Sequence, residues 1–122
     1  KYVNYINQSV KLNNFKKINV INKILSDREE DLYVHNERVL QNPDDHTDLE
    51  KLKATTLDRL CEEKKIEAEI IKIDVHGAEG KVLSGSSQIL EKQAKVILLE
   101  LHTSRYLEKY SNGISKKKLF HY

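Results

Sequence analysis

Residues 70–80, IIKIDVHGAEG, decide the fold together with a second apolar run, VILLELH, at residues 96–102. Both apolar runs are short, rich in Ile, Val and Leu and nearly without alternation, as parallel strands covered on both faces by helices are. Between them, apolar residues recur at three-and-four spacing over residues 81–93, which predicts a helix that packs one face on the sheet. The stretch therefore predicts a strand, helix, strand unit with two parallel strands.

Polar side chains follow both predicted strands. Asp74 and His76 come after the first strand, and Glu100 and His102 come after the second. Ligands of open α/β sheets bind outside the carboxyl ends of the strands, and residues two apart on a strand project to the same face. We therefore expect these four side chains to converge at one edge of the sheet. An alternative for Asp74 is a structural role as a cap of the following helix, in whose first turn Glu79 would interact with the helix dipole.

Composition limits the class of protein. A chain of 122 residues with 39% hydrophobic and 33% charged residues fits one charge-rich globular domain. The net charge of +2, with both signs interspersed, gives no indication of a nucleic-acid partner, and no apolar run has the length that a membrane span requires. The single cysteine, Cys61, favours a reducing compartment, so we expect a cytoplasmic protein. Its helical spacing from Leu57 predicts a buried core residue rather than a nucleophile.

The first half of the chain predicts further helices and strands. The pattern indicates a helix over residues 2–12, a strand over 18–25 and another over 32–35. Thr56 is the expected N-cap of a helix of about two turns. The order of these elements predicts an α/β fold with a mostly parallel sheet.

Two segments carry weaker patterns. Residues 36–54, which contain the one proline, Pro43, predict a long polar loop. Residues 103–122 predict a tail with helical segments. Neither a GxGxxG turn nor a P-loop occurs in the sequence, so the usual cradle of a nucleotide-like cofactor is missing.

Several sequence blocks in series resemble the FkbM-type methyltransferases. They are TLDRL at 56–60, IKIDVHGAE at 71–79, VLSG at 82–85 and ILLELH at 97–102, and the earlier ILSD at 24–27 fits less specifically. That family is a branch of the S-adenosylmethionine-dependent methyltransferases with a Rossmann-like sheet. The resemblance implies S-adenosylmethionine as the cofactor, and it implies that the turn formed by Ser26 and Asp27 approaches the adenine.

The resemblance also indicates what the chain does not contain. The family's first strand with its glycine-rich turn, and its second strand with an acidic residue for the cofactor ribose, would precede Lys1, and the chain has no methionine. We therefore interpret residues 1–122 as the carboxyl-terminal portion of an FkbM-like domain with an incomplete sheet. We expect this segment alone to be inactive. At His76 the family more often has glutamate.

The side chains at the strand ends suit methyl transfer to a hydroxyl group. That reaction needs alignment of the acceptor with the methyl group and removal of the acceptor's proton, which a carboxylate or an imidazole can accomplish. The expected function is O-methylation of a small molecule or a sugar. The expected roles are catalysis for Asp74 and His76, cofactor contacts for Ser26, Asp27 and Asp74, and acceptor contacts for Glu79, Glu100 and His102.

Two other functions stay open at the sequence level. The chain could be a non-catalytic α/β module that retains the sheet and does not hold the cofactor. It could also be a metal-dependent hydrolase, since two carboxylates and two imidazoles suit Zn²⁺, Mn²⁺ or Fe²⁺. The spacing D-x-H followed by E-x-H permits such a site but is not diagnostic of it.

Overall fold

The computed structural model describes residues 2–35, 38–40 and 49–102. Helices and strands are mixed along this part of the chain, with four strands in succession after the first helix. In order, they are α1 (Tyr2–Leu12), β1 (Ile24–Leu25), β2 (Glu30–His35), β3 (Arg38–Leu40), β4 (Glu50–Thr55), α2 (Leu57–Lys64), β5 (Ile70–Ile73), α3 (Glu79–Ser84), α4 (Ser87–Lys92) and β6 (Val96–Leu99). The helical segments expected at 103–122 lie outside the described residues.

Within the described ranges the strands form two sheets. One has the order β1-β4-β2-β3, and in the other β5 pairs with β6. The β5–β6 and β1–β4 pairs are parallel, whereas β2 runs antiparallel to both β3 and β4. The α/β class is therefore confirmed, but the expectation of a mostly parallel sheet is wrong. The reason is the short connection at residues 26–29, which reverses the chain, whereas a parallel return needs a crossover of about a dozen residues.

The first sheet also differs from the sequence prediction in its strand boundaries. The strand expected at 18–25 is reduced to β1, and Ile18 and Ile21 are exposed rather than paired. The polar loop expected at 36–54 contains β3 and all of β4 except its last residue, Thr55, while residues 41–48 lie outside the described part. The alternation of Leu52 and Ala54 with lysines is a period-two signal, and β4 follows it.

The predicted parallel pair of β5 and β6 is confirmed. Their register runs from Ile70 opposite Val96 to Ile73 opposite Leu99. The helix expected between them is instead two short helices, α3 and α4. They are separated at Gly85 and Ser86, where the Ser86 hydroxyl donates a hydrogen bond to the Val82 carbonyl.

Asp58 explains why a second helix begins after this break. Its carboxylate accepts hydrogen bonds from the backbone N–H groups of Gln88 at 3.0 Å and Ile89 at 2.9 Å. A carboxylate that binds free N–H groups caps a helix and interacts favourably with its dipole. The predicted N-cap of α2 is confirmed as well, because the Thr56 hydroxyl accepts a hydrogen bond from the Arg59 N–H at 3.1 Å.

The hydrophobic core lies between β5 and the helices. Its buried residues are Cys61, Ile71, Ile73, Val82 and Ile89, with Leu25 of β1 packed against them. Cys61 is thus a core residue, as predicted, and burial raises the pKa of its thiol. The opposite face of β5 is open, since Ile70 is 70% exposed. The expectation that both faces of this strand are covered is therefore wrong for the described residues.

Close backbone approach joins the two sheets. A Cβ atom added at Gly85 would lie less than 3.0 Å from the Ser26 carbonyl oxygen, just after β1. The Gly85 carbonyl in turn accepts a hydrogen bond from the Asp58 N–H at 3.1 Å.

Among the residues that the structure describes, no helix is both long and apolar enough to cross a membrane.

Candidate active site

Three of the predicted site residues meet beyond the carboxyl ends of β5 and β6. Asp74, His76 and His102 each offer one oxygen or nitrogen atom, and these atoms all lie within 4.8 Å of one another. The two imidazole rings are 4.4 Å apart between centroids and tilted by 33°. The prediction that the two parallel strands bring these side chains together is confirmed for this set, which we call the strand-end triad.

A tight turn carries His76 into the triad. Both His76, with φ of 52°, and Gly77, with φ of 108°, have left-handed backbone conformations. Glycine adopts such values readily, but a histidine there is uncommon and is retained only where the surrounding structure imposes it. The turn directs the Gly77 N–H to the Glu79 carboxylate at 3.0 Å.

Glu79 lies beneath the triad and is fully buried, with 0% of its surface exposed. Its Oε1 atom accepts the Gly77 hydrogen bond and lies 2.7 Å from Nδ1 of His102. Since this oxygen is an acceptor, Nδ1 of His102 is the donor, and Nε2 is left to accept a proton or bind a cation. The other oxygen, Oε2, is buried without a hydrogen-bond partner in the described ranges.

Asp74 does not cap α3. The cap position is Ala78, which makes no side-chain cap hydrogen bond, and Glu79 takes the Gly77 N–H. The Asp74 carboxylate is partly exposed and forms an ion pair of 3.4 Å with the exposed Lys72. The capping interpretation of Asp74 is therefore wrong, and its carboxylate lies beside the two imidazoles.

Glu100 is the strand-end residue that the structure leaves outside the triad. Its backbone N–H donates a hydrogen bond of 3.0 Å to the Ile73 carbonyl, which extends the pairing of β6 with β5 by one residue. The residue is exposed. Its predicted contact with the acceptor stays a prediction.

The family model described as the methyltransferase FkbM domain matches residues 4–120. The chain belongs to the FkbM methyltransferase family. No curated protein and no solved structure matches the chain. The match includes every block that carried the resemblance, and it extends beyond them at both ends.

Two residues in the FkbM blocks have clear structural roles. In TLDRL, Asp58 caps α4, and in VLSG, Gly85 allows the α3–α4 junction to approach Ser26. These residues hold β5 and its helices against the end of β1. They position the candidate site and take no part in the triad.

The turn after β1, which the FkbM resemblance associates with adenine, forms a separate polar cluster. The buried Ser26 hydroxyl lies 2.7 Å from Oε1 of Glu30 and 3.1 Å from Oδ1 of Asp27. It has one proton, so it donates to one of these carboxylates at a time. Oε1 of Glu30 is also 3.5 Å from Nζ of the buried Lys81 in α3.

The charge of Glu30 is stabilised in this cluster. Burial alone would raise its pKa, but the hydrogen bond from Ser26 and the positive charges of Lys81 and Arg28 outweigh burial and lower the pKa of Glu30. Sequence reasoning missed Glu30 and Lys81. A signal was present, because Lys81 is four residues before Gly85 and eight before Ile89, on the helical face that packs inward.

The turn after β1 adjoins a cavity in the described part of the chain. An open, polar cavity of about 780 Å³ lies between α2 and α4, and Asp27, Asp58 and Arg59 are among the residues that line it. None of the triad residues lines this cavity. In the described part of the chain, this cavity therefore adjoins the turn after β1 and not the strand-end triad.

Proposed function

We propose that this chain belongs to a methyltransferase that uses S-adenosylmethionine to methylate a hydroxyl group of a small molecule or a sugar. The observation that carries the proposal is the convergence of Asp74, His76 and His102 beyond two parallel strands, above the buried Glu79. Ligands of α/β sheets bind at such strand ends. Family membership supports methyl transfer as the reaction.

The chain's own residues provide the acceptor side of this reaction. The Asp74 side chain is partly exposed and His76 is exposed, so each can accept the proton of an acceptor hydroxyl. The buried carboxylate of Glu79 holds His102 through Nδ1, which fixes the ring orientation and leaves Nε2 available to the acceptor. Glu79 itself is a positioning residue, because its side chain is enclosed.

The cofactor fits the charge of this edge. S-adenosylmethionine carries a positive sulfonium and a positive amino group, and the Asp74 carboxylate at the strand end attracts both. When bound, the cofactor supplies the methyl group. Ser26 and Asp27 are proposed adenine contacts on the basis of the family resemblance, at the carboxyl end of β1.

Isothermal titration of the intact protein with S-adenosylmethionine and with S-adenosylhomocysteine tests the proposal. We expect saturable binding of both. Asp74→Asn should weaken the binding of S-adenosylmethionine more than that of S-adenosylhomocysteine, since only S-adenosylmethionine carries the sulfonium charge. Glu91→Gln, the same type of change at an exposed position on α4, should bind like the wild type. Absence of saturable binding in a folded protein would favour the non-catalytic module.

A further inference from the structure

The strand-end triad has the donor set of a transition-metal site. It consists of two imidazoles and one carboxylate, a set that binds divalent ions such as Fe²⁺, Mn²⁺ and Zn²⁺ and leaves coordination positions open. Donor atoms that share such an ion lie about 3–3.5 Å apart, since each bond is about 2.0–2.2 Å long. The donor atoms here lie within 4.8 Å, so rotation of the exposed Asp74 and His76 side chains would close the set.

Glu79 adds a second, independent feature of a metal site. Histidines that bind metals usually donate their other ring N–H to a carboxylate or a carbonyl, which fixes the tautomer and the ring orientation. His102 does so to Oε1 of Glu79 at 2.7 Å. This leaves Nε2 of His102 as the ring nitrogen available to bind an ion.

The charges around the triad also favour a cation. Asp74 and the enclosed Glu79 contribute two carboxylates, and Oε2 of Glu79 is buried without a hydrogen-bond partner among the residues that the structure describes. A buried carboxylate is costly unless positive charge lies nearby. The positive group that contacts Asp74, Lys72, is a flexible exposed side chain that a metal ion can displace.

We propose that Asp74, His76 and His102 bind one divalent transition-metal ion and that Glu79 orients His102 from beneath. The left-handed conformation of His76 is then the backbone cost of placing its imidazole in this set. Glu100 is not a ligand, which distinguishes this site from the four-residue set that the sequence permitted.

The role of the ion, unlike its binding, rests on the proposed function, and with the ion bound the metal would replace Asp74 and His76 as the group that activates the acceptor hydroxyl. An acceptor hydroxyl in an open coordination position would lose its proton to solvent more readily, as metal-bound water does. Its oxygen would then attack the methyl carbon. The O–C bond would form as the S–C bond breaks with its electron pair left on sulfur, which yields the methyl ether and S-adenosylhomocysteine.

Titration of the metal-stripped protein tests the site. Zn²⁺ is added in competition with a chromophoric chelator, and Co²⁺ is used as a spectroscopic substitute. We expect one ion per chain and a Co²⁺ absorption spectrum typical of mixed nitrogen and oxygen ligands. Glu79→Gln should weaken Zn²⁺ binding by about 10–100-fold although Glu79 is not one of the proposed ligands. Asp74→Asn and His102→Asn should weaken it at least as much.

Matched controls separate a built site from surface histidines that collect metal. Glu100→Gln, a carboxylate at the same strand end, should leave the affinity unchanged, and Lys72→Met should raise it by removing the competitor for Asp74. Far-UV circular dichroism shows which variants are folded. Because Lys72 and Glu100 are exposed, their substitutions test the site even if substitution of the buried Glu79 prevents folding. The proposal would be overturned if the wild type did not bind Zn²⁺. It would also be overturned if folded Asp74→Asn and His102→Asn bound Zn²⁺ as tightly as the wild type. Saturable S-adenosylmethionine binding without Zn²⁺ binding would reject the metal site and leave the proposed function intact. Zn²⁺ binding without saturable S-adenosylmethionine binding would support the metal site and count against the proposed function.

Discussion

Gly85 shows how a single residue positions the candidate site. Its φ of −84° is open to any amino acid, so the requirement for glycine is steric. An added Cβ would meet the Ser26 carbonyl at less than 3.0 Å and the Thr56 Cβ at 3.2 Å. Backbone and a capping residue occupy this space, and neither can move away easily.

We expect Gly85→Ala to lower the free energy of unfolding by about 1–3 kcal/mol, the usual range for overpacking. Urea denaturation followed by circular dichroism measures this change. Ser84→Ala also introduces an alanine, but at the exposed neighbouring position, and it should change stability far less. Equal stability of the Gly85 variant and the wild type would show that the contact with Ser26 is not tight in solution.

The sequence predicted the members of the triad better than their surroundings. Asp74, His76 and His102 follow from one rule, that polar residues after parallel strands meet at one edge. Glu100 obeys the same spacing and its backbone extends the pairing of β6 with β5, yet it is not part of the triad, so spacing alone does not distinguish it from His102. The burial of Glu79 depends on the left-handed turn before it, which no periodic pattern reveals.

At the scale of elements, the boundaries of short helices and strands depend on the contacts that their end residues make. The periodicity of residues 81–93 is continuous, so the sequence predicted one helix. The break into α3 and α4 depends on Asp58, which is distant in sequence and reaches the start of α4. A tertiary contact of this kind is invisible to a reading of local spacing. By contrast, β5 and β6 were predictable because their apolar runs are local and end in polar residues.

Asp58→Ala should destabilise the protein by about 0.5–2 kcal/mol, the usual cost of losing a helix cap. Asp58→Asn keeps an acceptor oxygen and should lose less. Chemical denaturation compares these variants with Glu62→Gln, an exposed carboxylate change on the same helix that should have little effect. If Asp58→Ala and Glu62→Gln were equally stable, the contacts of Asp58 with Gln88 and Ile89 would not support α4.

At the scale of the whole molecule, the two sheets are joined by a polar contact as well as by the core. Glu30 begins β2 in one sheet, and Lys81 lies in α3, which follows β5 of the other. Their ion pair is largely enclosed, with 18% and 8% of the two side chains exposed. Breaking such a pair leaves the remaining charge without its partner, so we expect it to matter more than the exposed ion pairs of the surface.

This contact makes stability depend on pH in a defined direction. The folded-state pKa of Glu30 is lowered, against the effect of burial, by the Ser26 hydrogen bond and by the charges of Lys81 and Arg28. Its stabilisation is therefore fully present above the pKa of the unfolded chain, about 4.3 for glutamate, and is lost as the pH falls through the lower folded-state value. Neutral pH should favour the joined sheets, and acid should weaken them.

Glu30→Gln isolates this contribution from those of other carboxylates. At pH 7 we expect the variant to be less stable than the wild type by about 1–3 kcal/mol, because Lys81 is left buried without its charged partner. The difference should shrink as the pH is lowered below about 4, since protonation of Glu30 in the wild type produces the same loss. Urea denaturation of both proteins at a series of pH values measures the difference. A difference that stays constant from pH 7 to pH 3 would mean that the charge of Glu30 does not join the sheets.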